Sequence, residues 1–347
     1  MSEKPLESNG ENHSKEEIDE SSTVSDILDS KELGYRINLI NKAIGDQLLE
    51  DDGEPPVLYE TTRHLILAGG KRIRSLLLIL CSEAVGGSAE DALPYAVATE
   101  FIQTASLIHD DIIDEDALRR GVKTTHEKYG RKMAIIAGDL LVAKAIKMIG
   151  EKSTPDLLTF VATGAISMCE GEAADLIMST NSRREVYTKK NYLDIVRMKT
   201  VAFMTSAAKV GASIGNASQQ QLEALITYAE NLGYAFQIRD DILDVIASQN
   251  GTGKSVLSDL KGSRCNFLLT HALEVSTDEK RDRCLKLLDN RELYYALQLI
   301  DETHAVQYAT LTTKQYIDDA KDAIRNQGFE NEENLTLLAD FVIKRLY

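Results

Sequence analysis

Proline interrupts this chain only five times, at Pro5, Pro55, Pro56, Pro94 and Pro155, and each falls in the N-terminal tail or at a plausible helix start or connection. Long uninterrupted helices are therefore permitted throughout. Apolar residues recur at three- and four-residue spacing over long segments, whereas alternating β-branched runs bounded by hairpin turns are hard to find. The spacing predicts helices near 25–50, 57–68, 71–86, 90–114, 129–150, 155–180, 187–213, 218–247, 265–275, 277–302, 304–325 and 331–346. An all-α chain follows. No short repeat and no linker-like composition divides 25–347, which reads as a single large helical domain with a substantial core. Residues 1–24 (MSEKPLESNGENHSKEEIDESSTV) are polar, acidic and poor in large apolar side chains, the composition of a disordered tail.

Lys and Arg total 39 against 55 Asp and Glu, a formal net charge of -16, which argues against nucleic acid or anionic lipid as the main partner. A negatively charged substrate would need a local cationic patch or bridging metal ions. No run approaches about 18 consecutive apolar residues, and the N-terminus lacks a basic stretch followed by an apolar one, so no transmembrane segment is expected and a cytoplasmic location is. Cys81, Cys169, Cys265 and Cys284 are scattered without CxxC spacing, which reads as reduced thiols instead of a zinc site or disulfide framework.

Residues 109–120 read HDDIIDEDALRR and residues 236–245 read FQIRDDILDV, so DDxxD occurs twice, at Asp110, Asp111, Asp114 and at Asp240, Asp241, Asp244. On a helix, positions i and i+4 lie one turn apart on one face, which stacks Asp110 over Asp114 and Asp240 over Asp244. Stacked carboxylates at the negative end of a helix repel each other and the macrodipole unless a cation is bound. Hard oxygen ligands in this number suit Mg²⁺, which keeps waters and shares its shell with substrate phosphates. A single acidic cluster is commonly just a solvated helix face. Here two copies each follow a long apolar run, Ala96 to Ile108 and Leu222 to Ile238, where a merely solvated face is less expected.

In these motifs the chain resembles the trans-isoprenyl diphosphate synthases, from about Leu39 to the C-terminus. The first family motif, DDxxD followed by four residues and RR, is matched by Asp110, Asp111, Asp114, Arg119 and Arg120. The second, FQxxDDxxD, is matched by Phe236, Gln237, Asp240, Asp241 and Asp244. The resemblance implies an all-α isoprenoid synthase fold with a central active-site cavity, commonly a homodimer. It also implies three Mg²⁺ ions held between the motifs by Asp110, Asp111, Asp114, Asp240 and Asp244. Its substrates would be isopentenyl diphosphate and an allylic prenyl diphosphate.

Residues 69–74 read GGKRIR, and the resemblance assigns Lys71 and Arg74 to the isopentenyl diphosphate. A point charge and a bidentate fork suit a diphosphate that receives no metal. Gln103, two helical turns from Asp110 on the same face, and Arg120 are implied on that same substrate. Arg119, Lys199 (with Thr200, in RMKTVAF), Gln237 and Lys254 are implied on the allylic diphosphate. Arg264 stands where many relatives carry a second lysine, and with its charge kept the resemblance implies it too in substrate binding. The segment GTGKS invites a P-loop reading, but the position of the first glycine is Ser248 and the segment follows a helix end. His109 reads as a hydrogen-bonded helix residue and not a base.

The reaction implied is loss of diphosphate from an allylic carbon, attack on the resulting cation by the isopentenyl double bond, and proton loss to the released diphosphate. In the family, bulky side chains on the first-motif helix limit product length. Ala105 and Ser106, five and four residues before Asp110, are small, and Phe101 and Ile102 follow about 5–6 Å deeper. A product of C20 to C25 is expected, with geranylfarnesyl (C25) preferred and C30 or longer as an alternative. A class I terpene cyclase and a non-catalytic synthase subunit are the competing classes. Cyclases generally lack the second DDxxD and the separate isopentenyl site, and such subunits tend to lose one aspartate motif or the GGKR segment.

Overall fold

The computed structural model describes residues 31–49, 53–152, 155–180, 187–249, 266–290 and 292–344. The N-terminal tail, Lys254, Arg264 and Cys265 lie outside the described residues. The helices are α1 (Lys31–Leu49), α2 (Pro56–Leu67), α3 (Ile73–Ala84), α4 (Ala89–Ile113), α5 (Thr125–Tyr129), α6 (Arg131–Lys152) and α7 (Pro155–Thr180). They continue with α8 (Lys189–Val196), a π-turn (Arg197–Val201), α9 (Ala202–Ile214), α10 (Gln219–Gln249), α11 (Phe267–Val275), α12 (Asp278–Asp289), α13 (Tyr294–Glu302), α14 (Ala305–Ile324) and α15 (Glu332–Lys344). The all-α expectation holds, with one two-stranded exception between α4 and α5: β1 (Leu118–Arg119) pairs antiparallel with β2 (Val122–Lys123).

Several boundaries depart from the sequence reading for local reasons. The helix expected at 129–150 is α6, which starts at Arg131, and the spacing does not predict the short α5 before it; Gly130 takes φ +86° between them. The helix expected at 277–302 is two: the N–H groups of Asn290 and Glu292 both turn back to the Leu287 carbonyl and end α12. Pro94 is not at a helix start but six residues into α4, whose N-terminus is capped by Ser88 Oγ accepting from Asp91 N–H. Within 187–213 the chain loosens into the π-turn, an insertion of the kind that re-aims side chains at functional sites.

Two cores share the described chain. One gathers Ile40 of α1, Leu76 and Leu80 of α3, Phe101 of α4, Ala208 of α9, Leu232 of α10 and Leu338 of α15. The other gathers Ile238 and Ile242 of α10, Phe267 of α11, Leu285 of α12 and Ile300 of α13, and Tyr316 of α14 packs against both. Helix α9 packs on α3, α4, α7 and α10, so it ties together the two helices that carry the aspartate motifs. Its approach to α3 depends on Gly211, where a Cβ would stand 2.1 Å from the Leu78 carbonyl oxygen. Because that obstacle is backbone, Gly211→Ala is expected to cost about 1–3 kcal/mol through overpacking. A urea midpoint that stays unchanged in the variant would contradict this.

No helix among the described residues is long and apolar enough to cross a membrane. Cys81 and Cys284 are buried free thiols and Cys169 is an exposed one.

Candidate active site

Asp110 and Asp114 stand one turn apart at the C-terminal end of α4, where the Asp114 N–H closes the last turn on the Asp110 carbonyl at 2.8 Å. Both are half-buried, and so are Asp240 and Asp244 near the end of α10. The middle aspartates behave differently. The Asp111 side chain has no exposed surface and accepts a hydrogen bond from Arg119 Nε through Oδ1. Burial raises its pKa to about 6, against the lowering influence of Arg119. Asp241 is also buried: Oδ1 accepts from Gln237 Nε2 at 3.1 Å and Oδ2 accepts from the Phe267 N–H at 2.8 Å, at the first turn of α11. Each motif therefore presents its outer pair, while Asp111 and Asp241 face inward and fasten neighbouring segments.

The β1–β2 hairpin positions the two arginines. Arg120 (φ +53°) and Gly121 (φ +75°) form its two-residue loop, and consecutive left-handed residues match the twist of the flanking strands. Arg119 thereby points at Asp111, with Asp116 Oδ2 3.4 Å from its Nη2. Arg120 reaches the other way, where its Nη1 donates to the Gly69 carbonyl. At Gly70 a Cβ would lie 2.9 Å from Arg120 Nη2, so glycine at this position makes room for the guanidinium. Burial lowers the Arg120 pKa to about 10, and Arg72 lowers it further.

The turn Gly69–Arg72 brings Lys71 Nζ within 3.8 Å of Asp240 Oδ1, joining the GGKR segment to the second aspartate motif. Phe236 is the shared surface: Lys71 Nζ lies 5.6 Å, Arg74 Cζ 6.0 Å and Arg239 Cζ 5.0 Å from its ring centroid. Arg74 Nε is buried with no acceptor among the described residues. Its pKa is lowered by burial, with Glu100 and Asp240 opposing that shift. A buried donor without an acceptor beside other cations is a place for an anion.

On the opposite side, Lys199 sits in the π-turn, paired with Glu172 and, at 3.4 Å, with Asp175 of α7. Gly171 permits this contact, since a Cβ there would be 2.7 Å from the Lys199 backbone nitrogen. Thr200 Oγ1 donates to Gln237 Oε1 at 2.9 Å, so Thr200, Gln237, Asp241 and the start of α11 form one hydrogen-bonded chain. On α4, Gln103 and Ser106 keep partial exposure on the face of Asp110, while Ala105, Ile102 and Phe101 are buried. His109 Nε2 lies 3.3 Å from the Ile135 carbonyl oxygen, the hydrogen-bonded helix role read from sequence.

Four charged residues of this region were not singled out from sequence. Arg239 is fully buried and binds Asp240 Oδ1 at 2.5 Å. Glu100 and Arg72 form a buried ion pair at 2.8 Å, and Glu172 holds Lys199. Glu100 had a usable signal, because it is the lone charge in the apolar run Ala96–Ile108 and a buried carboxylate needs a cationic partner. A separate cavity of about 220 Å³, lined by Ala43, Gln47, Leu93, Val97 and Met148 among others, lies toward the far end of α4 and shares none of these groups.

Paired carboxylates near the ends of two core helices thus stand beside guanidinium groups, an arrangement suited to cations and anionic groups together. Residues 55–299 match the family model described as polyprenyl synthetase. A short chain isoprenyl diphosphate synthase of Methanothermobacter thermautotrophicus is 36% identical over 302 residues, covering 85% of this chain and 92% of that protein. A geranylfarnesyl diphosphate synthase of Aeropyrum pernix is 35% identical over 306 residues, covering 84% of this chain and 95% of its own. The crystal structure of a geranylgeranyl pyrophosphate synthetase from Pyrococcus horikoshii superposes with a TM-score of 0.81 at 33% identity, over 93% of this chain and 98% of that one. The chain belongs to the polyprenyl synthetase family, as a polyprenyl diphosphate synthase with the helical isoprenoid synthase fold.

Proposed function

We propose that this enzyme joins isopentenyl diphosphate to an allylic prenyl diphosphate and stops at C20 to C25, with C25 preferred. The observation that carries the two-substrate reading is the pairing of unlike anion sites. One is a carboxylate and lysine side, with Asp110, Asp114, Asp240, Asp244 and Lys199. The other is a guanidinium side, with Lys71, Arg74 and Arg120, where Arg74 Nε is buried without an acceptor.

The donor set fits Mg²⁺. Among the described residues no three acidic, His or Cys side chains converge on one point, so the outer carboxylates offer part of a coordination shell and leave the remainder to water and phosphate oxygens. Held there by Asp110, Asp114, Asp240 and Asp244, such ions would supply Lewis-acid stabilisation of the departing diphosphate. Lys199 and Arg119 add positive charge on the allylic side. The carbon–oxygen bond of the allylic substrate breaks and diphosphate leaves with the electron pair. The isopentenyl double bond then forms the new carbon–carbon bond, and a proton goes to the released diphosphate. Lys71, Arg74, Gln103 and Arg120 hold the isopentenyl diphosphate for that attack.

The length reading rests on small Ala105 and Ser106 above buried Phe101, and similarity to the Aeropyrum pernix geranylfarnesyl synthase supports it. Chromatography of dephosphorylated products made from farnesyl diphosphate should show C20 and C25 alcohols. A product confined to C15 would contradict the length reading. We also propose a homodimer through α6 and α7, whose Ile135, Ile136, Ile146, Ile166 and Ile177 expose apolar surface. Sedimentation equilibrium at the monomer mass would contradict that.

A further inference from the structure

Glu100 lies 4% exposed in the middle of α4, ten residues from Asp110, and its hydrogen bonds among the described residues go to Arg72 and Ser75. Its Oε2 accepts from Arg72 Nη1 at 2.8 Å and its Oε1 accepts from Ser75 Oγ. Arg72 is equally buried, and its other two nitrogens donate as well: Nε to Asn41 Oδ1 at 2.9 Å and Nη2 to the Ile66 carbonyl at 2.9 Å. One guanidinium thus fastens α1, the last turns of α2 and α4 to the entrance of α3. Arg72 also carries a left-handed backbone, φ +52°, as the residue before α3. A non-glycine residue holds that conformation when its surroundings over-determine it. The two residues flanking this fixed point in the chemistry are Lys71 and Arg74.

Charge adds a second tie. Arg72 and Arg120 repel each other in a region from which water is largely removed, and Arg74 is weighed on by burial. The Glu100 carboxylate opposes the burial effect on Arg74 more strongly than Asp240 does, and it acts on Arg120 in the same sense.

We propose that Glu100 is a positioning residue for the isopentenyl diphosphate side of the site: through Arg72 it fixes the turn that presents Lys71 and Arg74. The proposal rests on the two-substrate reading given above. Asp110 and Asp114 lie at the far end of α4 from this tie and Lys199 lies in the π-turn, and none of the hydrogen bonds of Glu100 and Arg72 described above reaches them.

The test is steady-state kinetics with both substrates for wild type, Glu100→Gln and Ser75→Ala, each checked for folding by circular dichroism. In Glu100→Gln the KM for isopentenyl diphosphate should rise about tenfold, with the KM for farnesyl diphosphate and kcat within about threefold of wild type. Ser75→Ala keeps the charge and removes one hydrogen bond, so the same constant should rise about two- to threefold. Equal shifts in both KM values, or no shift in a folded Glu100→Gln enzyme, would overturn the proposal. If Glu100→Gln fails to fold, Ser75→Ala decides by the same split, and an unshifted isopentenyl KM there overturns it. Wild type that incorporates no isopentenyl diphosphate would instead defeat the two-substrate reading on which the proposal stands.

Discussion

Asp110→Ala is expected to lower incorporation of isopentenyl diphosphate by about a thousandfold, the scale for removing a group that stabilises charge in a transition state. Folding should barely register the change. Asp110 is half-buried at a helix C-terminus and one turn from Asp114, where a second carboxylate and the helix dipole are both unfavourable, so the stability shift should stay under about 1 kcal/mol. Asp241→Ala makes the contrast. It strips the acceptors from Gln237 Nε2 and the Phe267 N–H, and leaving these donors inside costs about 1–3 kcal/mol each. The two variants should therefore separate activity from stability when assayed and melted side by side. An Asp110→Ala enzyme within tenfold of wild type would remove the outer carboxylates from the mechanism.

Phe101→Ala should change both product and stability. The ring is fully buried in the core of α1, α3, α4 and α9, and truncating such a side chain costs about 3–5 kcal/mol. The space it leaves lies one turn below Ala105, so the product should lengthen by at least one isoprene unit. Phe101→Leu keeps most of the volume and guards against unfolding, and it should shift the distribution in the same direction by less. Chromatography of products from folded variants checks this. An unchanged length in both would place the end of the chamber on another helix.

Much of this fold was legible because helices announce themselves by period, and α4 and α10 carry that period into the aspartate motifs without interruption. Breaks were harder to see. The α5–α6 break rests on the left-handed Gly130 and the end of α12 on a doubly used Leu287 carbonyl, both geometric facts that periodicity does not encode. Within each DDxxD, i to i+4 spacing identified the outward pair. The inward aspartates look identical in sequence, and only the partners Arg119 and the Phe267 N–H distinguish them. Ion pairs across elements, such as Arg72 with Glu100 over 28 positions and Lys199 with Glu172, depend on packing and had no local signature beyond a charge in an apolar run.

The most direct test of the central claim is the fate of labelled isopentenyl diphosphate incubated with unlabelled farnesyl diphosphate, Mg²⁺ and the enzyme. Two-site condensation predicts label in acid-labile C20 and C25 diphosphates, with one inorganic diphosphate released for each unit added. Diphosphate release from farnesyl diphosphate alone, with the label left in isopentenyl diphosphate, would contradict it and point to a cyclase.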